Sequence, residues 1–498
     1  MTKTELPVVA IIGGGFCGLM TAINLIKKAG STVKIIIIND DFPTAKGVAF
    51  SAHTSAYLLN VPASNMSCFA DDLRHFLRWL QQKEEYKAVP ENLLERMFVP
   101  RKLYGDYLHR VWNEVKESNP LVSIEERKGK AIDVKIRNKK ATIYLRDHES
   151  IEADYVVLAT GNEKPADVRI ANPSFYESEH YFANPWQPGA IKHCGKNGVL
   201  IIGNGLTMVD TVLGLLENKY DGTIYSLSPN GFSLLPHISN GVLYKEMLNE
   251  LQPPYQLATL FSLFKKHIQL VSNIGLSAEP VIDSVRVKTQ DIWKALSLDD
   301  KRRFLRHIKY KWGIARHRIP AHIHRKLQQL RIDKKLVSYK ANLQNLEDEG
   351  DGVLATFYNK ETKAVEQVQV SRVINCTGPV SNIMRSDNEL IRNLVKQGLI
   401  APDPLYLGIN ATGNGAIIDI HGEESDTLFT LGSHMKGILW ESTAVPDLRV
   451  QAERLSHVIL QKIIAADDGV LNHIPVLEKI KANLQKPLQE EELIEYYI

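Results

Sequence analysis

Residues 8–40 read VVAIIGGGFCGLMTAINLIKKAGSTVKIIIIND, and their order decides the fold. The apolar run Val8 to Ile12 has strand length. Gly13-x-Gly15-x-x-Gly18 follows at once, Leu19 to Lys28 repeats apolar residues at helical spacing, and Ile35 to Ile38 gives a second buried strand. Strand, glycine turn, helix and strand within about thirty residues is the context in which such glycines predict a dinucleotide site. The chemistry needs all three. Gly13 allows the tight turn, Gly15 lets a pyrophosphate approach the backbone, and Gly18 lets helix pack on strand. The phosphate charge then meets free N–H groups at the helix N-terminus.

A second start lies downstream. Val199 to Ile202 is a strand, Gly203-Asn204-Gly205 a glycine turn, Leu206 to Leu216 a helix and Thr223 to Leu227 the next strand. Met208 replaces the third glycine, so helix and strand cannot approach as closely there. Asp210 lies inside the helix and faces either a ligand or solvent. Each unit is followed by a strand with a similar ending: Tyr155 to Leu158 runs into Ala159-Thr160-Gly161, and Val373-Ile374-Asn375-Cys376 into Thr377-Gly378-Pro379. The fold class predicted is α/β, with two Rossmann-like dinucleotide-binding domains and a helical insertion.

Between these landmarks, Leu73 to Lys83 and Lys102 to Glu117 have helical periodicity. Val122 to Arg146 alternates and reads as a hairpin or small meander. Residues 240–340 read as mainly helical and become basic, with Lys301, Arg302, Arg303, Arg306, Lys309 and Lys311, then Arg316-His317-Arg318. A solvated helical face is one reading of these cations, and a face for an anionic ligand is another. His317, His322 and His324 lack an accompanying carboxylate or cysteine, so no metal site is expected. Strands return at Val353 to Tyr358 and Val365 to Val370, Leu428 to Leu431 is a last core strand, and Ala444 to Ile464 is a helix.

The bulk properties bound the function. The chain has 498 residues, enough for two or three domains. Sixty basic and fifty-seven acidic residues give +3, too balanced to imply nucleic acid. The N-terminus leads straight into the first strand, no apolar run has the length of a membrane helix, and the cysteines Cys17, Cys68, Cys194 and Cys376 form no CxxC. The expectation is a reduced, cytoplasmic protein that binds no membrane, with each cysteine a small core residue rather than a nucleophile.

Several segments together resemble the bacterial FAD/NAD(P)-binding protein family that contains flavin-dependent urate hydroxylase. More distantly they are similar to the ornithine and lysine N-hydroxylating monooxygenases. The segments are residues 11–16, Gly47-Val48-Ala49, residues 58–63 (LLNVPA), residues 76–80 (FLRWL) and residues 99–105 (VPRKLYG), then residues 203–210 (GNGLTMVD), Arg316-His317-Arg318, residues 375–379 (NCTGP) and residues 439–446.

The resemblance implies FAD on the first unit and NADPH or NADH on the second. It implies that Gly13, Gly15, Phe16 and Gly18 hold the FAD pyrophosphate, and that Asn60 to Ser67 lies along the flavin with Met66 near the ring. Arg101 neighbours the FAD phosphates or ribityl chain, and Gly432 approaches that chain. Thr160 and Gly161, like Thr377 and Gly378, close each nucleotide domain. Gly203, Gly205, Thr207 and Met208 face the nicotinamide cofactor. The ribose-binding acid is Asn39 here, with Asp40 as a substitute, and Asn lacks charge assistance. Gly432-Ser433 stands in place of the Gly-Asp usual near the C-terminus of such flavoproteins. The segment 226–230 (SLSPN) offers neither the acid that marks NAD nor the arginine that marks NADP; the basic segment from Arg302 to Arg318 tilts the choice to NADPH.

The implied domains are FAD-binding over 1–183 and 376–465, NAD(P)-binding over 184–375 with the basic helical insertion at 240–340, and a helical tail over 466–498. The implied reaction is hydroxylation of a small molecule with O2 through a flavin peroxide, urate and an amine being the substrates it suggests. A flavoprotein without oxygenase activity, either an electron-transfer reductase or a redox sensor, is the alternative. A module binding an anionic partner through the basic helices is a third reading. Asn60, Arg318 and His434 are the candidates for proton handling or substrate binding.

Overall fold

Continuous apolar runs become central strands with both faces covered. The computed structural model describes residues 6–40, 44–195, 197–237 and 244–468, so most of the helical tail expected over 466–498 lies outside the described residues. β1 (Val8–Ile12) and β2 (Val33–Asn39) flank the helix Phe16–Lys28 in sequence and pair in parallel from Val8↔Lys34 to Ile12↔Ile38. Alternation divides their side chains. Val9, Ile11, Ile35 and Ile37 face that helix, whereas Ala10, Ile12, Ile36 and Ile38 join a core on the other face. Each buried isoleucine contributes about 1.5–3 kcal/mol.

β3 (Val122–Lys128) extends this sheet, parallel to β2. Only β4 (Ala131–Arg137), β5 (Lys140–Leu145) and β6 (Ser150–Ala153) form the antiparallel meander expected over the whole of 122–146. β3 alternates for another reason: it is a sheet edge, partly exposed along its length, and mimics the period of an antiparallel strand. β7 (Tyr155–Leu158) returns to the other side of β1.

The second sheet repeats the plan. β8 (Tyr181–Phe182) is a two-residue edge. β9 (Gly198–Ile202) and β10 (Ile224–Ser228) flank the helix Leu206–Glu217 in sequence. β11 (Leu336–Asp348), β12 (Val353–Asn359) and β13 (Ala364–Asn375) give the order β12-β11-β10-β9-β13-β8. β11 follows β10 in parallel over 336–340 and then pairs antiparallel with β12, while β13 pairs first with β12 and then, in parallel, with β9. β11 is absent from the sequence reading because Lys, Asn, Gln and Asp have low strand propensity; pairing on both sides overrides it. β14 (Ala416–Ile418) and β15 (Glu424–Thr430) complete the first sheet as β14-β15-β7-β1-β2-β3. The helix Val445–Asp468 packs back on the first helix, where Ser456 Oγ donates to the Thr21 carbonyl at 3.0 Å.

Helices fill the insertion from Glu246–Glu250 to Ala321–Ile332. Their core of Met247, Trp293 and Phe304 also takes in Leu407 and Trp440, which follow the second sheet in sequence. Trp293 and Trp440 stack with ring centres 4.6 Å apart. The insertion is thereby fixed to the segment that returns to the first unit. No helix among the described residues is long and apolar enough to cross a membrane.

Candidate functional site

The two glycine turns have the same local construction. Gly13 has φ +112°, and a Cβ there would overlap the Ala159 carbonyl; Gly203 has φ +117°, and a Cβ would overlap the Cys376 carbonyl. Each first glycine thus abuts the strand end that carries Thr160-Gly161 or Thr377-Gly378. The Gly13 N–H donates to the Ile38 carbonyl and the Gly203 N–H to that of Leu227, both at 2.8 Å. Both following helices begin without a side-chain cap and without an acid in the first turn. Their first N–H groups suit a phosphate. A Cβ on Gly18 would overlap the Gly13 carbonyl, which is the close approach the third glycine predicts. Met208, at the matching place, is buried among Val209, Val212 and Cys376.

Around the first turn, Asn39 Oδ1 accepts the Gly14 N–H at 3.1 Å. Asp40 follows it, half-buried at the strand end. The segment after β2 covers the turn: a Cβ on Gly47 would come within 2.9 Å of the Gly15 Cα. Phe50 packs against Tyr104 at 4.7 Å and edge-on to Phe16 at 6.4 Å. At the far side, Thr160 Oγ1 and His434 Nε2 are 2.7 Å apart, and Ser433 Oγ donates to the Gly161 carbonyl at 2.9 Å. The Gly432 N–H donates to Gln451 Oε1 at 3.0 Å. Burial pushes the His434 imidazole down to about 4, so it is neutral at pH 7. Met66 and Ser67 are buried; Ser67 Oγ donates to the Asp72 carbonyl at 2.6 Å, and Arg449 donates to the Ser67 carbonyl at 2.7 Å.

Asp210, expected to face ligand or solvent, is buried. Its carboxylate lies 3.3 Å from the Arg101 guanidinium, which links the two units. Burial raises the Asp210 carboxyl to about 6 although Arg101 opposes it. The pair shares a small cavity with Asn60 and Ile319. The Asn60 carbonyl accepts from His237 at 3.2 Å. Arg318 lies apart from this cavity wall. It is buried and paired with Glu279 and, at 2.8 Å, with Asp283 on the helix Glu279–Ser284.

The second turn opens onto a cavity of about 790 Å³. Gly205 and Gly378 both border it, and a Cβ on either would meet nothing within 4 Å. Thr207 and Thr377 border it too. Ser228, Asn230 and Asn342 line one part, and Lys309, Trp312, His317, Lys436, Trp440 and Glu441 another. The helix Lys309–Arg316 is held to the segment beyond Gly432 by Glu441, which accepts from Arg316 Nε at 2.8 Å and from the Trp312 indole. Glu441 has φ +64°, a conformation rarely adopted by side chains of this type.

Lys436 and the Arg316–Glu441 pair escaped the sequence reading. Arg316 and Glu441 both stand in motif segments, but 125 residues separate them and linear order gives no reason to pair them. Among the basic residues of the insertion, Arg303 pairs with Asp299 at the surface, Arg302 and Arg306 are exposed, and of Lys301, Lys309 and Lys311 it is Lys309 that borders the cavity. Burial pushes the thiols of Cys17, Cys68 and Cys376 up to about 12, so they stay protonated near neutrality.

Residues 10–163 match a family model described as FAD-NAD(P)-binding. No curated protein matches the sequence. Among solved structures, the ornithine N-hydroxylase of Kutzneria sp. 744, described with reduced FAD, NADP+ and L-ornithine, has a TM-score of 0.63 at 13% identity, covering 92% of this chain and 100% of its own. L-lysine 6-monooxygenase from Pseudomonas syringae gives 0.61 at 14% identity, covering 91% and 99%. The FAD-bound cadaverine monooxygenase from Erwinia amylovora gives 0.59 at 13% identity, covering 92% and 95%. At such identities the likeness is one of fold, and the fold is the two-nucleotide α/β architecture of these flavoproteins.

Proposed function

We propose that the protein is an FAD-dependent oxidoreductase that uses NADPH and O2 to hydroxylate a small molecule. The observation that carries this reading is the pairing of two equivalent glycine turns, one covered and one opening onto a cavity that reaches the Gly432 side. The residues fit the dinucleotides. Gly13, Gly15 and Gly18 with the uncapped helix would hold the FAD pyrophosphate, Asn39 its ribose, and the Thr160–His434 contact would fix the Gly432 turn beside the ribityl chain. Gly203, Gly205 and Thr207 would take the nicotinamide dinucleotide. Bound flavin would supply hydride acceptance and oxygen activation, chemistry that belongs to the cofactor.

The chain's part is to position and to enclose. Trp312, Trp440 and Ile314 give the cavity an apolar wall that limits water around the reacting atoms. His434, neutral and bonded to Thr160, would keep the turn in place rather than carry charge. Arg318, committed to two carboxylates, would brace the insertion, and Asn60 would orient groups at the joint between the units. In the balanced reaction NADPH gives two electrons, one oxygen atom enters the substrate, and the other leaves as water.

Purified protein tests this directly. A yellow protein bleached anaerobically by NADPH, with isotopic oxygen from O2 recovered in a hydroxylated product, supports the reading. Bleaching with hydrogen peroxide as the sole oxygen product, for every urate-like or amine substrate tried, favours the reductase alternative. A colourless protein that takes up no FAD would sink both. NADH bleaching as readily as NADPH would remove the cofactor preference.

A further inference from the structure

We propose that Lys309 and Lys436 form an anion-binding pair in the large cavity, so that the small-molecule substrate carries a carboxylate or a similar negative group. The inference rests on the reading above and narrows it to a substrate class. The two lysines come from different parts of the chain. Lys309 opens the helix Lys309–Arg316 of the insertion, and Lys436 lies two residues beyond His434 on the Gly432 turn. Both border the same cavity. Burial lowers the ammonium pKa of each, and the charge of Lys309 lowers that of Lys436 further although Glu441 opposes it.

Neither ammonium makes an ion pair with a carboxylate among the described residues. Glu441 is the acid that lines the cavity beside them, and its two oxygens are taken by Arg316 and Trp312. Lys309 also begins a helix with no side-chain cap and no acid in its first turn. A cation at that end opposes the helix dipole, and two like charges lining one cavity repel. An anion between them resolves all three mismatches at once.

The phosphates of a dinucleotide have other partners. The pyrophosphate has the N–H groups at Gly205 to Thr207, and a 2′-phosphate belongs at the end of the second strand of its unit, here Ser228 to Asn230. Lys436 instead stands on the turn that follows the other unit's strand. Trp312, Trp440 and Tyr310 line the space beside the pair, so the ligand has an apolar body next to its charge. Two ammonium groups that lack a carboxylate ion pair would repel a diamine, so the preferred substrate here differs in charge from cadaverine.

The test uses the full chain loaded with FAD, with benzoate and succinate as anionic probes and benzamide and succinamide as neutral ones. Binding is read by tryptophan fluorescence and by equilibrium dialysis, and NADPH binding is measured separately. We expect at least one acid to bind about tenfold more tightly than its amide, the effect of one charge-assisted hydrogen bond. Lys309→Met with Lys436→Met should remove that preference and leave the NADPH dissociation constant within about twofold, while Lys309→Arg with Lys436→Arg should restore it.

Equal or undetectable binding of acids and amides overturns the proposal. So does a double methionine variant whose main loss is NADPH affinity, which would assign the pair to the nucleotide. The FAD content and NADPH bleaching of the same samples report on the underlying reading. A protein without either, yet with the acid preference, loses the flavin reading and keeps the anion site.

Discussion

Gly13 and Gly203 occupy the same position in two units built alike, and the surroundings of the two turns then diverge. Behind each glycine stands a carbonyl, from Ala159 or Cys376, and beside each runs a strand end with Thr-Gly. Around the first turn Gly47, Phe50 and Tyr104 close in. Beyond the second, Gly205 faces open space in a 790 Å³ cavity. A covered site suits a ligand that stays through many turnovers, and an open one suits a ligand that enters and leaves in each. One plan can therefore serve a resident and an exchanging dinucleotide, with the cover, not the glycines, setting the difference.

The strongest way to break the comparison is to damage both turns equally. Gly13→Val and Gly203→Val each place a branched side chain at positive φ against a carbonyl, at a cost of about 5 kcal/mol. Gly13→Val should lower the thermal midpoint and empty the flavin site, read by absorbance. Gly203→Val should keep its yellow colour and lose bleaching by NADPH. Unchanged bleaching in Gly203→Val would show that the second turn is no nucleotide site.

Next in size is the joint. Arg101→Met leaves Asp210 buried without its cation, so unfolding in denaturant should come about 3–5 kcal/mol earlier. A loss within the scatter of surface substitutions would mean that the units do not depend on this pair.

The pH dependence separates the buried histidines from the buried carboxyl. The imidazoles of His434 and His237 are held near 4 by burial, below the ordinary 6.5. Unfolding lets them bind protons, so the stability they contribute is present above pH 6.5 and is lost as pH falls toward 4. Asp210 acts oppositely: its carboxyl is raised to about 6, and the folded state gains as pH falls through that value. His434→Gln should flatten the acid loss by up to about 3 kcal/mol, and Asp210→Asn should steepen it. Melting curves between pH 4 and 7 that coincide for all three proteins would refute both assignments.

The smallest effect sharpens the first turn alone. Asn39→Asp keeps an acceptor for the Gly14 N–H and adds charge toward a ribose. FAD should bind about fivefold more tightly, measured by dialysis. Weaker binding would place the adenosine elsewhere.

Local grammar made much of the fold readable. Strand, glycine turn and helix spell out both units because each needs only neighbours in sequence. The Thr160 and Thr377 endings were readable for the same reason. What escaped depends on distant partners. β11 is strand because β10 and β12 hold it, not because its residues prefer to be. β3 leaves the meander because β2 offers a parallel edge. Asp210 reads as facing a ligand or solvent until Arg101, 109 positions before it, pairs with it. The cavity's lysines and the Glu441 clamp arise where the insertion meets the Gly432 turn, a meeting that periodicity does not encode.

The fused strands of the second sheet have a consequence for self-association. Because β12 pairs with both β11 and β13, the sheet ends on one side in strands already satisfied and on the other in the two-residue β8. The first sheet ends in the three-residue β14 and in β3, whose exposed edge carries Glu125, Glu126, Arg127 and Lys128. Short or charged edges are poor templates for added strands. Among the described residues, neither large sheet offers a second chain a long uncharged edge strand to extend, which guards the protein against cross-chain β-pairing.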